Sequence, residues 1–129
     1  MTLDEITTKA INPALHLLPP AMDSVKARVA LLAIGLQESG FRFRFQKIAG
    51  RPYMKGPAHG FWQCERGGGV LGVLTNKATS QYAAELCFAS HVMQDSWAVW
   101  SAIENDDVLA AGFARLILWA ESQPLTGDE

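Results

Sequence analysis

The chain has 129 residues, a formal net charge of −2 and apolar residues at 49 % of its positions. This length predicts a single domain over residues 1–129, and the composition is typical of a globular protein and not of a disordered one. The weak net acidity argues against a nucleic-acid-binding protein, because such proteins depend on a basic surface. The two cysteines, Cys64 and Cys87, give no sign of a disulfide framework, and their spacing from the histidines matches no common zinc pattern. We therefore expect no metal and no organic cofactor.

The N-terminus and the apolar runs bear on where the protein is made. The first five residues, MTLDE, lack the basic start and apolar core of a signal peptide. The longest nearly apolar run, residues 29–36, is too short to span a bilayer. We expect synthesis in the cytoplasm without stable membrane insertion, so that a substrate outside the membrane would require a separate delivery route.

Apolar spacing predicts two helices in the first third of the chain. The first covers residues 3–18, where Pro13 is expected to kink or split it. The second covers residues 23–39, with a cap from Asp23 or Ser24. Apolar residues occupy most of its circumference, which predicts a helix at the centre of the domain.

The middle of the chain contains the strand signals. Alternating aromatic and basic residues predict a strand over 41–46, and residues 49–60, rich in Gly and Pro, predict an irregular loop. A second short strand over 60–65 is expected to pair with the first. The three glycines at 67–69 predict a flexible turn that leads into a short helix over 70–74.

Capping residues and apolar spacing predict three more helices, over residues 75–93, 96–104 and 105–121, followed by a tail over 123–129. Asn105 or Asp106 is the predicted cap of the last helix. The fold class expected from these elements is mainly helical, of the α+β type, with a small β-hairpin between the second and third helices. The basic residues cluster between positions 26 and 66, which fits either a solvated face or a rim that attracts an anionic polymer.

Glu38 is the strongest candidate for a catalytic residue. It ends the second helix after an almost entirely apolar run, and Gly40 follows as a stop. A carboxyl group at an apolar helix end is expected to be partly desolvated, which raises its pKa. A carboxylic acid that keeps its proton near neutral pH can give that proton to a leaving group.

Two motifs together resemble a known family. The segment Gln37-Glu38-Ser39-Gly40-Phe41 resembles the Glu-Ser motif of lytic transglycosylases and goose-type lysozymes, and Gly60-Phe61-Trp62-Gln63 resembles the Gly-hydrophobic-hydrophobic-Gln motif that follows the catalytic Glu in that family. The resemblance implies a lysozyme-like fold in which the hairpin comes directly after the catalytic helix. It also implies a bacteriolytic enzyme, encoded by a phage, that cleaves the β-1,4 bond between N-acetylmuramic acid and N-acetylglucosamine in peptidoglycan.

The same resemblance assigns roles to individual residues. Glu38 would be the general acid and later the base, and Ser39 would orient the site near the N-acetyl group. Gln63 would bind sugar or position Glu38, while Phe61 and Trp62 would shape the cleft. Phe61 and Trp62 are also expected from their apolar character as core residues, and Ser39 as a residue that only satisfies the helix end, so both interpretations stay open.

The identity of a second carboxylate decides between two mechanisms. Glu65 is the best candidate for a second acid in the substrate cleft, which would support hydrolysis. No acid lies in the hairpin directly after Glu38, which favours a transglycosylase that closes a 1,6-anhydro ring. The region Ala110-Ala111-Gly112-Phe113-Ala114 lacks the Asn or Tyr that many transglycosylases place along the cleft.

Two other classes of function remain. One is a lysozyme-like protein that binds the glycan strand, or serves as a virion component, without catalysis. The other is a small helical DNA-binding regulator, against which the net acidity counts. For the enzyme, the expected partner is the peptidoglycan glycan strand, with delivery to the cell wall by a virion or by a holin-type lysis system.

Overall fold

A three-stranded antiparallel sheet interrupts an otherwise helical chain in the computed structural model, which describes residues 1–122. The fold is therefore mainly helical and of the α+β type. The tail predicted over residues 123–129 lies outside the described residues. The α-helices are α1 Leu3–Ile6, α2 Asn12–His16, α3 Val25–Glu38, α4 Leu71–Thr75, α5 Ser80–Ala89, α6 Ser96–Ala102 and α7 Asp107–Glu121. The strands are β1 Phe45–Ile48, β2 Arg51–His59 and β3 Cys64–Glu65.

The predicted first helix exists and is split near Pro13. A π-helical segment, Thr7–Ile11, joins α1 to α2, and the amide of Asn12 bonds to the carbonyl of Thr7 in place of the usual partner one residue later. Proline has no amide hydrogen and crowds the preceding turn, so a wider turn ahead of it relieves the conflict. A short 3₁₀ turn, Pro20–Met22, follows.

Helix α7 lies at the centre of the domain. The Asp106 side chain accepts a hydrogen bond from the amide of Leu109 and so caps its start, as predicted. All side chains from Leu109 to Leu116 are buried. The apolar side chains among them belong to one hydrophobic cluster that runs from Ile6 to Leu116 and includes residues of every α-helix. Within residues 1–122, no helix combines the length and apolar character that crossing a bilayer requires.

Helix α3 has the predicted bounds but not the predicted surroundings. Ser24 caps it through a bond from the amide of Ala27 at 3.0 Å. The buried positions are Ala27, Leu31 and Gly35, whereas Val25 and Val29 are 79 % and 59 % exposed. The prediction of a central helix was wrong, because a helix can carry apolar residues all round and still bury only the narrow face that its neighbours reach.

The sheet differs from the sequence prediction in two respects. Residues 49–60, predicted as a loop, contain the whole of β2, which pairs with β1 in an irregular antiparallel register. Gly50, with a φ of 75°, makes the tight turn between these two strands. The strand predicted over 41–46 begins only at Phe45, and β3 pairs with β2 instead of β1. Because β2 is the middle strand, it separates the two strands that the sequence prediction had placed side by side.

The helices after the sheet are shorter or begin earlier than predicted. The predicted glycine turn over 67–69 lies within a π-helical segment, Arg66–Val70, that continues into α4. The helix predicted over 75–93 covers only Ser80–Ala89, because the Asn76 side chain forms a local turn and His91 has a φ of 56°. Helix α6 is capped by Asp95, whose carboxylate accepts from the amide of Ala98.

Candidate functional site

Ser39 connects the end of α3 to the turn between β2 and β3. Its side chain is buried, and its hydroxyl lies 2.7 Å from the carbonyl oxygen of Phe61 and 3.2 Å from that of Gly35. The hydroxyl oxygen also accepts a bond from the amide of Phe41 at 3.1 Å. A hydroxyl has one hydrogen to donate, so the shorter contact to Phe61 is the stronger one. Ser39 thus holds the turn against the helix that carries Glu38, and its contacts are with the protein backbone.

An aromatic cluster reinforces this connection. The ring of Phe41 packs edge-on against the rings of Phe61 and Trp62, with centroids 5.6 Å away in both pairs. The indole nitrogen of Trp62 donates to the carbonyl of Leu31 at 2.8 Å. A Cβ on Gly35 would lie 2.1 Å from the Phe41 ring, so only glycine permits this packing.

Phe61 and Trp62 therefore belong mainly to the core. Phe61 is 1 % exposed and Trp62 is 4 % exposed, so Phe61 presents no ring face to a ligand. Trp62 contributes an edge to the groove described next. Of the two interpretations open from the sequence, the core role fits both residues, and only Trp62 also reaches a surface groove.

A shallow groove of about 180 Å³ runs beside Trp62, between α3, β3 and the C-terminal half of α7. Its lining is mostly apolar and consists of Ile34, Trp62, Cys64, Ala114, Ile117, Leu118 and Glu121. Glu38 is not itself a lining residue. It follows Ile34 by one helical turn on the same face of α3, and its charge acts on Cys64 in the groove wall. We call this space the Glu38 groove.

Glu38 itself is exposed in the free protein. The desolvation predicted from the apolar helix is therefore not found, because Glu38 is the last residue of α3 and lies outside its buried positions. Its charge nevertheless reaches the buried thiol of Cys64. Burial, and secondly the charge of Glu38, raise the pKa of Cys64 to about 12. The thiol thus stays protonated and contributes an apolar wall to the groove.

Gln63 ends the turn that carries the second motif. Its backbone has a φ of 53°, and its side-chain amide donates to the carbonyl of Gly60 at 2.9 Å. Gly60 has a φ of 77°, and a Cβ there would lie 2.8 Å from the backbone oxygen of Ile103. The glycine and the glutamine of this motif therefore shape the turn, while the Gln63 side-chain oxygen has no partner within residues 1–122.

Glu65 lies in a different groove from Glu38. Successive residues of a strand point to opposite faces, and Cys64 lines the Glu38 groove while Glu65 lines a groove of about 370 Å³. The other lining residues are Lys55, Gly56, Pro57, Arg66, Gly67, Trp97 and Trp100. The structure therefore does not bring together the two carboxylates that the sequence offered as a pair.

This second groove, which we call the tryptophan groove, has an ordered aromatic wall. The ring of Trp100 stacks on His59 at a centroid distance of 3.8 Å, and its indole nitrogen donates to the carbonyl of Pro57 at 2.8 Å. Trp97 packs edge-on against Trp100, and the Arg66 guanidinium lies 4.1 Å from its ring centroid. Trp97 remains 59 % exposed, so part of its ring is free to contact a ligand.

Glu121 is a carboxylate that the sequence analysis missed. It lines the Glu38 groove from α7, where the spacing from Ala114 through Ile117 to Glu121 places these residues on one helical face. That spacing is visible in the sequence, but nothing there indicates that this face opens onto α3. The region from Ala110 to Ala114, expected along the cleft, is instead buried in α7, and only Ala114 reaches the groove.

Comparison with known proteins adds no family to this geometry: no family model, curated protein or solved structure matches the chain. Among residues 1–122, no three or more His, Cys, Asp or Glu side chains converge as potential metal ligands. The chemistry available to the site therefore depends on its carboxylates, its apolar lining and its fixed turn.

Proposed function

We propose that the protein is a peptidoglycan-cleaving enzyme of the lysozyme-like class, a lytic transglycosylase or a muramidase, with Glu38 as its general acid and base. One observation carries the proposal: Glu38 stands exposed at the end of α3, beside an apolar groove whose wall is fixed by the Ser39 bond to Phe61. The two sequence motifs that resemble the family are joined through this bond.

The groove supplies what the reaction requires of the protein. A glycosidic oxygen leaves poorly until it is protonated, and one well-placed acid accelerates such a step by roughly 10²–10⁴-fold. Glu38 would donate its proton to that oxygen as the bond to the sugar carbon breaks. The resulting carboxylate would then take a proton from the attacking hydroxyl, either that of water or the sugar's own 6-hydroxyl. A bound sugar would also displace water around Glu38 and favour its protonated form.

The position of Glu65 favours the transglycosylase. A hydrolase that uses two carboxylates needs both of them beside the bond that it cleaves, with the carboxyl groups about 5 to 9.5 Å apart. Glu65 does not meet this requirement with Glu38, because it lines the other groove. Glu121 lines the Glu38 groove and is the carboxylate to test if water proves to be the nucleophile. In the biological setting implied by the resemblance, a phage virion or lysis system would deliver the enzyme to the cell wall.

A second candidate is a glycan-binding protein without catalysis, and the tryptophan groove supports it. Exposed aromatic rings offer flat apolar faces to sugars, and Trp97 lies there beside the Lys55 and Arg66 side chains. Removing the Trp97 ring would then abolish binding to peptidoglycan, whereas Glu38→Gln would leave binding intact and no cleavage would be seen with either protein.

The test is a digest of purified peptidoglycan sacculi, with products identified by mass spectrometry. The unaltered protein should release muropeptides lighter by one water molecule than the hydrated form, and Glu38→Gln should release none. Glu85→Gln is the matched control, because Glu85 is also an exposed glutamate but lies on α5, outside both grooves. Products of equal yield from Glu38→Gln would refute the assignment. Hydrated reducing ends would instead establish a muramidase.

A further inference from the structure

A third groove lies at the opposite end of α3 and contains a buried arginine. Its volume is about 290 Å³, and its lining consists of Ser24, Lys26, Ala27, Ala30, Arg115, Leu118, Trp119 and Ser122. Leu118 lines both this groove and the Glu38 groove. The two grooves therefore lie on either side of one side chain, along the line where α7 packs against α3. We call this third space the Arg115 groove.

Arg115 is held in place, but no acid in the described part of the chain forms an ion pair with it. It is only 8 % exposed, and its Nε donates to the carbonyl of Met22 at 2.7 Å. Within residues 1–122, its two terminal nitrogens have no hydrogen-bond partner and no carboxylate lies within salt-bridge distance. No buried side-chain nitrogen among the described residues lacks a partner, so these two nitrogens reach the surface of the groove, where an anion can accept from them. The guanidinium is thus fixed at one nitrogen and free at the edge that binds carboxylates in a forked geometry.

The charges around the groove favour an anion. Lys26 lines it as a second cation, and the first turn of α3 contributes the partial positive charge of a helix N-terminus. Among residues 1–122, Asp23 is the acid whose charge acts on Arg115. That carboxylate is already occupied by Arg28, with nitrogen–oxygen distances of 2.8 and 3.1 Å. The Asp23–Arg28 pair is neutral as a unit, so the groove keeps the charges of Arg115 and Lys26.

We propose that the Arg115 groove binds the carboxylate of a short peptide, with Arg115 as the principal donor and Lys26 as a supporting charge. Trp119 and Ala30 provide an apolar wall for the side chain next to that carboxylate, and the Arg115 guanidinium lies 5.6 Å from the Trp119 ring centroid. The volume suits a small ligand and not a broad protein surface.

The proposed function identifies the natural source of this carboxylate. Peptidoglycan has peptide stems with free carboxylates on its glycan strands. Glu38 and Ser24 stand at the two ends of a helix that is about 21 Å long at 1.5 Å per residue. A glycan held at Glu38 could therefore place a stem carboxylate at Arg115 across Leu118. This assignment of the ligand rests on the proposed function, but the existence of a carboxylate site does not.

The first experiment measures binding without any glycan. N-acetyl-Ala-Ala with a free C-terminal carboxylate, and the same peptide as its C-terminal amide, are titrated into the full chain while the indole resonance of Trp119 is followed by NMR. The carboxylate should bind at least about 10-fold more tightly than the amide, as expected for a charge-assisted hydrogen bond. Equal binding of the two peptides would overturn the proposal. So would inorganic phosphate that binds as tightly as the peptide.

Variants locate the site. Arg115→Met should weaken peptide binding about 10- to 100-fold. Arg115 is buried, so this variant risks a folding defect. Lys26→Glu is therefore the second variant, because Lys26 is exposed. It should weaken binding about 3- to 10-fold. Lys77→Glu, the same charge change at an exposed position outside the groove, should have no effect. An equal loss in Lys26→Glu and Lys77→Glu would show a general charge effect and overturn the site.

A second experiment separates this proposal from the proposed function. Glu38→Gln should bind the peptide as tightly as the unaltered protein, because Glu38 lies at the far end of α3. The Glu38→Gln protein is then mixed with intact sacculi and with sacculi whose stems an amidase has removed. Lys26→Glu in the same background should reduce binding only to the intact sacculi. If the unaltered protein binds the peptide but does not cleave peptidoglycan, the carboxylate site is supported and the proposed enzymatic function is refuted. If it cleaves peptidoglycan but does not bind the peptide, the enzymatic function is supported and the carboxylate site is refuted.

Discussion

The two ends of α3 show how one helix uses the same residue type in different ways. Ser24 at its start is exposed and makes one capping bond, to the amide of Ala27. Ser39 at its end is buried, and its hydroxyl lies within hydrogen-bond distance of three backbone groups, including the carbonyl of Phe61 some twenty residues later. The first serine stabilises the helix alone, while the second fixes the position of the helix relative to the hairpin. The same contrast applies to the charges, with cations near Ser24 and the Glu38 carboxylate beside Ser39.

The largest effect is expected at the acidic end. Glu38→Gln should lower the rate of peptidoglycan cleavage by roughly 10²–10⁴-fold, because the amide cannot donate a proton to the leaving oxygen. Its melting temperature should stay within about 2 °C of the unaltered protein, since the side chain is exposed. Muropeptide release and thermal unfolding measure the two quantities. A variant that loses activity only because it unfolds would not support a catalytic role.

The next effect tests the packing of α3 against the aromatic cluster. Gly35→Ala should destabilise the protein by about 2–3 kcal/mol, because the new methyl group would collide with the buried Phe41 ring. Gly72→Ala is the matched control, since a Cβ at Gly72 meets no atom within 4 Å on α4. That control should stabilise the protein by up to about 1 kcal/mol. Urea unfolding of both variants measures the change in the free energy of unfolding, which should be negative for Gly35→Ala and positive for Gly72→Ala. Two variants of equal stability would contradict the described packing.

Substitution of the two serines tests the comparison directly. Ser39→Ala should cost about 2–3 kcal/mol, because it leaves the carbonyl of Phe61 buried without its donor. Ser24→Ala should cost about 1 kcal/mol, the usual value for a lost N-cap. Ser39→Ala should also lower the rate of cleavage, since the turn beside Glu38 is released, and Ser24→Ala should leave that rate unchanged. Denaturant midpoints measure the change in stability, and sacculus digests measure the change in the rate of cleavage.

The smallest effect concerns the pH dependence of stability near Cys64. Its folded pKa is raised to about 12 by burial and by Glu38, and an unfolded thiol has a pKa of about 8.5. Between these values the unfolded chain loses the thiol proton and the folded chain keeps it. The free energy of unfolding should therefore fall as the pH rises above about 9, by at most about 1.4 kcal/mol per pH unit from this group.

Unfolding in urea at pH 8 and pH 10 measures this slope. Cys64→Ala should show a smaller drop between the two values than the unaltered protein, and Glu38→Gln should reduce the drop slightly, since it removes the second cause. Cys87→Ala is the control for the other thiol, whose pKa is raised by burial alone. A slope that does not change in Cys64→Ala would contradict the burial of this thiol.

Local signals in the sequence predicted the elements that depend on local physics. Ser24 and Asp106 cap helices as expected, Pro13 marks the irregular turn of the first helix, and Glu38 ends α3. Strand β2 was missed because its Gly and Pro residues suppress a strand signal, although they fit the irregular pairing that a bulged hairpin allows. The family resemblance, and the activity that it implies, remain a proposal.

The sequence by itself determined where α3 begins and ends, which residue caps α7, and that Glu38 and the Gly-Phe-Trp-Gln turn are close to ordered elements. Caps and apolar spacing act within a few residues, so these features can be predicted locally. Only the tertiary structure decided which face of α3 is buried, that Glu65 lines a groove other than the one beside Glu38, and that no acid among residues 1–122 pairs with Arg115 in the groove that it shares with Lys26. These outcomes depend on how α7 and the sheet pack against α3. Such packing joins distant residues, as in the bond between Arg115 and Met22, which are 93 positions apart, and no local pattern records it.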